Sequence, residues 1–74
     1  MRISLKAARM NARLTQQEAA DKIGVTVDTI GNWERAKSFP NALHILRIEE
    51  VYGIPYSNLS FLPKNNAKSV TEDK

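Results

Sequence analysis

TQQEAADKIGVTVDTIGNWER, residues 15–35, decides the fold because it contains two short helical patterns separated by a turn. Thr15 precedes an apolar-periodic run and Glu18 follows three residues later, which is the capping-box pattern of a helix start. Gly24 stands where a helix end favours a left-handed residue, which glycine adopts without steric cost. Thr26 is a second N-cap candidate. The stretch therefore predicts two helices joined by a tight turn.

These helices, expected at 16–23 and 27–35, form the helix-turn-helix pattern, in which a turn containing glycine connects two short helices. The arrangement holds the second helix clear of the domain, so that it fits the major groove of DNA. An ordinary antiparallel helix pair in a small helical core has the same periodicity. The pattern alone leaves both interpretations open.

The sequence resembles the Cro and phage-repressor (Xre-type) helix-turn-helix family over roughly residues 3–62. The matching residues are Leu14-Thr15-Gln16, Ala20, Gly24, Ile30-x-x-Trp33-Glu34, Pro40, Ile45, Ile48 and Tyr52-Gly53-Ile54. The resemblance implies an all-α fold, a compact five-helix lambda-repressor-like domain with the helix-turn-helix at helices 2 and 3. It also implies double-stranded DNA as the partner, bound by a homodimer.

The spacing of apolar residues and the positions of glycine and proline predict the remaining helices at about 3–12, 41–52 and 56–62. We expect one DNA-binding domain over 1–63 and a disordered tail over 64–74, where one aliphatic residue of any size remains. The residues expected to form the core are Leu5, Ala8, Leu14, Ala19, Ala20, Ile23, Val25, Ile30, Trp33, Ile45, Ile48, Tyr52, Ile54 and Leu59.

The charge distribution favours a polyanion partner for the first part of the chain. Residues 1–47 carry eight basic and four acidic residues, a balance of +4, whereas residues 48–74 carry three basic and four acidic residues, a balance of −1. A basic half that coincides with the helix-turn-helix suits DNA. A solvated basic surface, which many small domains have, is the alternative.

The residues expected to read bases lie at and after the start of the second of these helices, namely Thr26, Val27, Asp28 and Asn32. Asparagine bonds bidentately to adenine, and aspartate accepts a hydrogen bond from cytosine N4. Val27 is suited to packing on a thymine methyl group.

Backbone contacts are expected from Gln16, Arg9, Arg35 and Lys37. Gln16 lies at a helix N-terminus, where free N–H groups and the helix dipole favour a phosphate, and the resemblance implies this contact. Arg35 and Lys37 match the family's backbone-contacting positions. The resemblance also implies that Arg9 forms a structural salt bridge with Glu34.

Two residues depart from the family's pattern. Gly31 lies inside a helix, at a cost of about 1 kcal/mol relative to alanine. Ala36 occupies a position where the family usually has glycine, and a left-handed helix end there would be strained.

Several function classes are disfavoured by composition. The chain has no cysteine and one histidine, and it shows no Gly-rich phosphate loop or catalytic constellation. We therefore expect no metal, no cofactor, no small-molecule ligand and no enzymatic activity. No apolar run approaches the roughly 18 residues of a membrane span, and we expect a cytoplasmic protein without a membrane partner.

Two functions remain. The first is a sequence-specific transcriptional regulator of the phage or mobile-element repressor type that reads a palindromic operator. The second is an interaction module of the same fold, such as an antitoxin that binds a protein partner.

Overall fold

A computed structural model describes residues 2–61 of the chain. In chain order its elements are β1 (Ile3–Ser4), α1 (Leu5–Asn11), α2 (Gln16–Ile23), α3 (Val27–Glu34), α4 (Ala42–Tyr52), a 3-10 helix (Tyr56–Asn58) and β2 (Leu59–Ser60). The predicted tail over 64–74 and the domain boundary at 63 lie outside the described residues. Within residues 2–61 no helix is both long and apolar enough to cross a membrane.

Side-chain caps set the start of every α-helix in this range. The N-cap residues are Ser4, Thr15, Thr26 and Asn41. The predicted capping box is present, since Thr15 Oγ1 accepts from the Glu18 amide at 3.1 Å and Glu18 Oε1 accepts from the Thr15 amide at 2.9 Å. Gly24 ends α2 with φ of 93° and Gly53 ends α4 with φ of 68°, both in the left-handed region.

The predicted fifth helix at 56–62 is wrong over the residues described. Its first turn is a 3-10 helix, and Leu59 and Ser60 form β2, which pairs in parallel with Ile3 and Ser4. The described domain therefore has four α-helices and a two-stranded sheet, and it is mostly helical rather than all-α.

The physical reason lies in the segment after Pro55. A short helix gains few backbone hydrogen bonds for its nucleation cost, and no side chain caps the start of this segment, whereas Ser4 caps the equally short α1. Pairing with β1 gives this backbone partners and directs Leu59 into the core. The Tyr56 amide is held separately, by Glu49 Oε2 at 2.6 Å.

The core lies where α1, α2, α3 and α4 meet. Ten of the predicted core residues are buried: Leu5, Ala8, Ala19, Ala20, Ile23, Ile30, Trp33, Ile48, Tyr52 and Leu59. Leu14, Val25 and Ile54 are half-buried and pack against this cluster. The prediction for Ile45 is corrected, because it is half-exposed and lines a surface groove at the start of α4.

Candidate nucleic-acid interface

The outer face of α3 carries a row of polar side chains. Ile30 and Trp33 bury the inner face. An α-helix turns about 100° per residue, so Asp28, Asn32 and Arg35 fall close together on the opposite side. Asp28 and Arg35 are exposed and Asn32 is half-buried. This face is therefore free of the core and presents hydrogen-bonding groups outward.

Thr26 and Val27 lie at the start of α3 and both have a structural role there. Thr26 is exposed, but its Oγ1 caps the helix by accepting from the Thr29 amide at 3.2 Å and lies 3.0 Å from Thr29 Oγ1. Val27 is half-buried and packs against the core. Of the four predicted base-reading residues, Asp28 and Asn32 are thus the two that the core and the cap leave free.

Arg35 folds back over α3. Its Nη2 donates to Asn32 Oδ1 at 3.0 Å. A β-carbon at Gly31 would lie 3.0 Å from Nη1 of the same guanidinium. The glycine is buried beneath this side chain. Arg35 therefore shares the outer face of α3 with Asn32, rather than extending away from the helix end.

Arg9 is turned toward the core, so its surroundings favour the expected salt bridge with Glu34 over the expected contact to the DNA backbone. The residue is 8% exposed. Its Nε donates to Glu34 Oε2 at 2.7 Å and its Nη1 donates to the Leu14 carbonyl at 2.8 Å. The expected ion pair with Glu34 is present, and together with the Leu14 carbonyl it takes a hydrogen bond from each of the three guanidinium nitrogens.

Gln16 joins the same network from the first turn of α2. Its Nε2 donates to Glu34 Oε1 at 3.0 Å, and Arg9 Nη2 donates to the same oxygen at 3.3 Å. Because only one amide hydrogen is used, the other remains available at the N-terminus of α2. Gln16 is half-buried, so it lies at the boundary between core and surface.

Lys37 is exposed and follows the end of α3. The Lys37 amide donates to the Asn32 carbonyl at 2.9 Å and the Ala36 amide donates to the Trp33 carbonyl at 3.2 Å. This pair of bonds is the Schellman arrangement, and it holds Ala36 at φ of 61°. The helix end therefore carries the strain expected of alanine in the left-handed region.

The pKa values near this network follow from burial and from Glu34. The hydrogen bond to Glu34 raises the pKa of Arg9 against the opposing effect of burial. Burial, with a smaller contribution from the Glu34 carboxylate, raises the pKa of Tyr52 to about 12 although Arg9 opposes the change. At neutral pH the arginine is therefore charged and the phenol neutral.

A second surface feature is apolar. A groove of about 240 Å³ is lined by Phe39, Pro40, Ile45, Tyr56 and Phe61. Leu43 and Leu46 of α4 are exposed as well. The groove could not be expected from the sequence, because Ile45, which lines it, was assigned to the core.

The family comparison agrees with this geometry. The model of the helix-turn-helix family of the Cro/C1 type, Xre-like, matches residues 5–59. The chain belongs to this family, which makes it a DNA-binding helix-turn-helix regulator. Searches of curated proteins and of solved structures find no significant match.

Proposed function

We propose that the protein is a repressor- or Cro-like transcriptional regulator that reads a palindromic operator as a homodimer, with α3 in the major groove. The observation that carries the proposal is the outer face of α3, where Asp28 and Asn32 point away from buried Ile30 and Trp33. In helix-turn-helix proteins this face meets the base edges. Thr26 and Val27 contribute at its N-terminal end.

Contacts to phosphate fix the register of such a protein on the duplex without reading sequence. We propose this role for Gln16 and Lys37. Gln16 has a free amide hydrogen at the N-terminus of α2, where the helix dipole attracts an anion. Lys37 is an exposed cation beyond the end of α3, so its contribution is expected to be electrostatic.

The homodimer is proposed on the apolar surface of α4 and the groove beside it. Leu43 and Leu46 are more than half exposed, and so are Phe39 and Tyr56 nearby in the chain. Large exposed apolar side chains gathered on a small domain mark interaction surfaces. A twofold-symmetric pair joined there would present two copies of α3 to half-sites about one helical turn apart.

Selection of bound duplexes from a random DNA pool, repeated at two salt concentrations, tests this proposal. We expect an inverted repeat with half-sites about one turn, or 10 base pairs, apart. The affinity should fall with salt, because phosphate contacts release counterions.

Two other outcomes would change the proposal in different ways. An enriched single half-site would replace the homodimer by a monomer. Weak, salt-sensitive binding without enrichment would overturn sequence-specific regulation and favour the interaction module, such as an antitoxin. In that case the double substitution of Val27 and Asn32 should leave binding to the protein partner unchanged.

A further inference from the structure

Arg35 lies beyond the last residue of α3, yet its guanidinium does not stay at that end of the helix. The group is level with Gly31, four residues earlier, where it would come within 3.0 Å of a β-carbon. Four residues correspond to about 6 Å along the helix axis. The side chain therefore carries its charge back along α3, toward the part of the helix that the proposed function places in the major groove.

Gly31 makes this position available. A β-carbon at this position would lie 3.0 Å from Nη1, closer than ordinary van der Waals contact, so any other residue would require the guanidinium to shift. The glycine itself is buried. The helix gives up about 1 kcal/mol of propensity for this glycine. The glycine inside this helix thus has one specific neighbour, the side chain of Arg35.

The hydrogen bond to Asn32 fixes the orientation of both side chains. Arg35 Nη2 donates to Asn32 Oδ1 at 3.0 Å. This bond leaves the amide NH2 of Asn32 and four N–H groups of the guanidinium unused by the pair, so donors of both side chains lie next to one another on α3. In the major groove, guanine offers two adjacent acceptors, N7 and O6, and arginine binds both at once.

We propose that Arg35, held over Gly31 by Asn32, reads the major-groove edge of a guanine, and that Gly31 is the positioning residue for this contact. The inference rests on the proposed function, since it requires α3 in the major groove. It replaces the phosphate contact expected for Arg35 from sequence.

The test compares binding to the duplex selected from the random pool with binding to derivatives in which one base pair is changed. Arg35→Lys keeps the charge but loses the planar fork. We expect this variant to lose about 5- to 150-fold of the preference at one G·C pair, and to keep the salt dependence of the wild type. Lys37→Ala is the matched control and should weaken binding to all sequences alike.

Gly31→Ala tests the positioning role separately. Alanine is the better helix former, so the melting temperature should rise. Because the guanidinium is displaced, the variant should lose part of its preference for the same G·C pair. Because the variant gains stability, a loss of preference cannot be attributed to unfolding.

Replacement of that guanine by 7-deazaguanine, which lacks the N7 acceptor, provides an independent readout. The wild type should lose affinity for the altered duplex, whereas Arg35→Lys should lose little more. If Arg35→Lys leaves every preference unchanged or weakens all sequences by one factor, Arg35 contacts phosphate and the inference is overturned. An unchanged preference in Gly31→Ala would overturn the positioning role. A wild type without any sequence preference would overturn the proposed function itself, and the guanine contact with it.

Discussion

Arg9 and Glu34 form a bidentate ion pair that joins α1 to the last residue of α3, with Nε and Nη2 at 2.7 Å and 3.3 Å from the two carboxylate oxygens. The side chains are 10% and 6% exposed. The pair also holds Gln16, so one carboxylate organises three helices around the helix-turn-helix.

Removal of one partner of this pair should be strongly destabilising. Glu34→Ala would leave the Arg9 charge buried without its partner, and we expect a loss of about 3 kcal/mol in the free energy of unfolding. Urea denaturation followed by circular dichroism measures it. The double variant Arg9→Met/Glu34→Leu should be more stable than Glu34→Ala, because it leaves no buried charge. A loss below about 1 kcal/mol in Glu34→Ala would instead match an exposed ion pair.

The end of α3 offers a stabilising substitution. Ala36 has φ of 61°, a conformation that costs a residue with a β-carbon about 1–2 kcal/mol. Ala36→Gly should therefore raise the free energy of unfolding by about 1 kcal/mol, after allowance for the greater freedom of glycine in the unfolded chain.

The reverse substitution at the end of α4 is the matched control for this change. Gly53 has φ of 68°, and a β-carbon there would meet nothing within 4 Å. Gly53→Ala should thus cost about 1 kcal/mol through backbone strain alone. Thermal denaturation of both variants checks the pair, and a destabilised Ala36→Gly would contradict the account of the helix end.

The helix-turn-helix could be predicted from sequence because its signals are local. The capping box of Thr15 and Glu18 and the glycine at 24 each act within one turn of chain, and the structure confirms the two helices to within a residue. The helix expected at 56–62 is wrong over the described residues because the conformation of 56–60 depends on β1, more than fifty residues earlier in the chain. No local sequence pattern indicates the pairing of β1 with β2.

In the candidate site, too, the features set by local sequence could be predicted and those set by distant neighbours could not. The outer face of α3 follows from helical periodicity, so Asp28 and Asn32 lie on it as expected. The side chains of Arg9 and Arg35 were assigned to phosphate from position alone, although their orientation depends on neighbours. Glu34 turns the first toward the core and Gly31 lets the second fold back.

High pH should destabilise the protein through Tyr52. Its pKa is raised to about 12 in the folded state, against about 10 for an unfolded chain. The folded state therefore holds the phenolic proton more tightly, and the stability that this provides is complete below pH 10 and is lost as pH rises to about 12. Tyr52→Phe should reduce the decline in the free energy of unfolding between pH 10 and 12, which denaturation curves recorded at each pH measure. Tyr56→Phe, at an exposed tyrosine, is the control and should retain the decline.

Substitution of a base-contacting residue and substitution of a phosphate-contacting residue should affect DNA binding in different ways. Asn32→Ala is expected to cost about 1–3 kcal/mol on the selected duplex and to relax the preference at one or more base positions. Lys37→Ala should weaken all duplexes by a similar factor and reduce the slope of log K against log salt by about one. Fluorescence anisotropy titrations at several salt concentrations measure both quantities. A sequence-dependent loss in Lys37→Ala would contradict its assignment to phosphate.

A charge on α4 should break the proposed homodimer without changing the reading of a half-site. Leu46 is 59% exposed, and its burial in a dimer would contribute about 1.5–3 kcal/mol. Leu46→Glu should therefore weaken association roughly 10- to 150-fold by sedimentation equilibrium, and abolish cooperative binding to an inverted repeat. Met10→Glu is the matched control, since Met10 is equally exposed but lies on α1. If both variants associate like the wild type, the dimer does not form through this surface of α4.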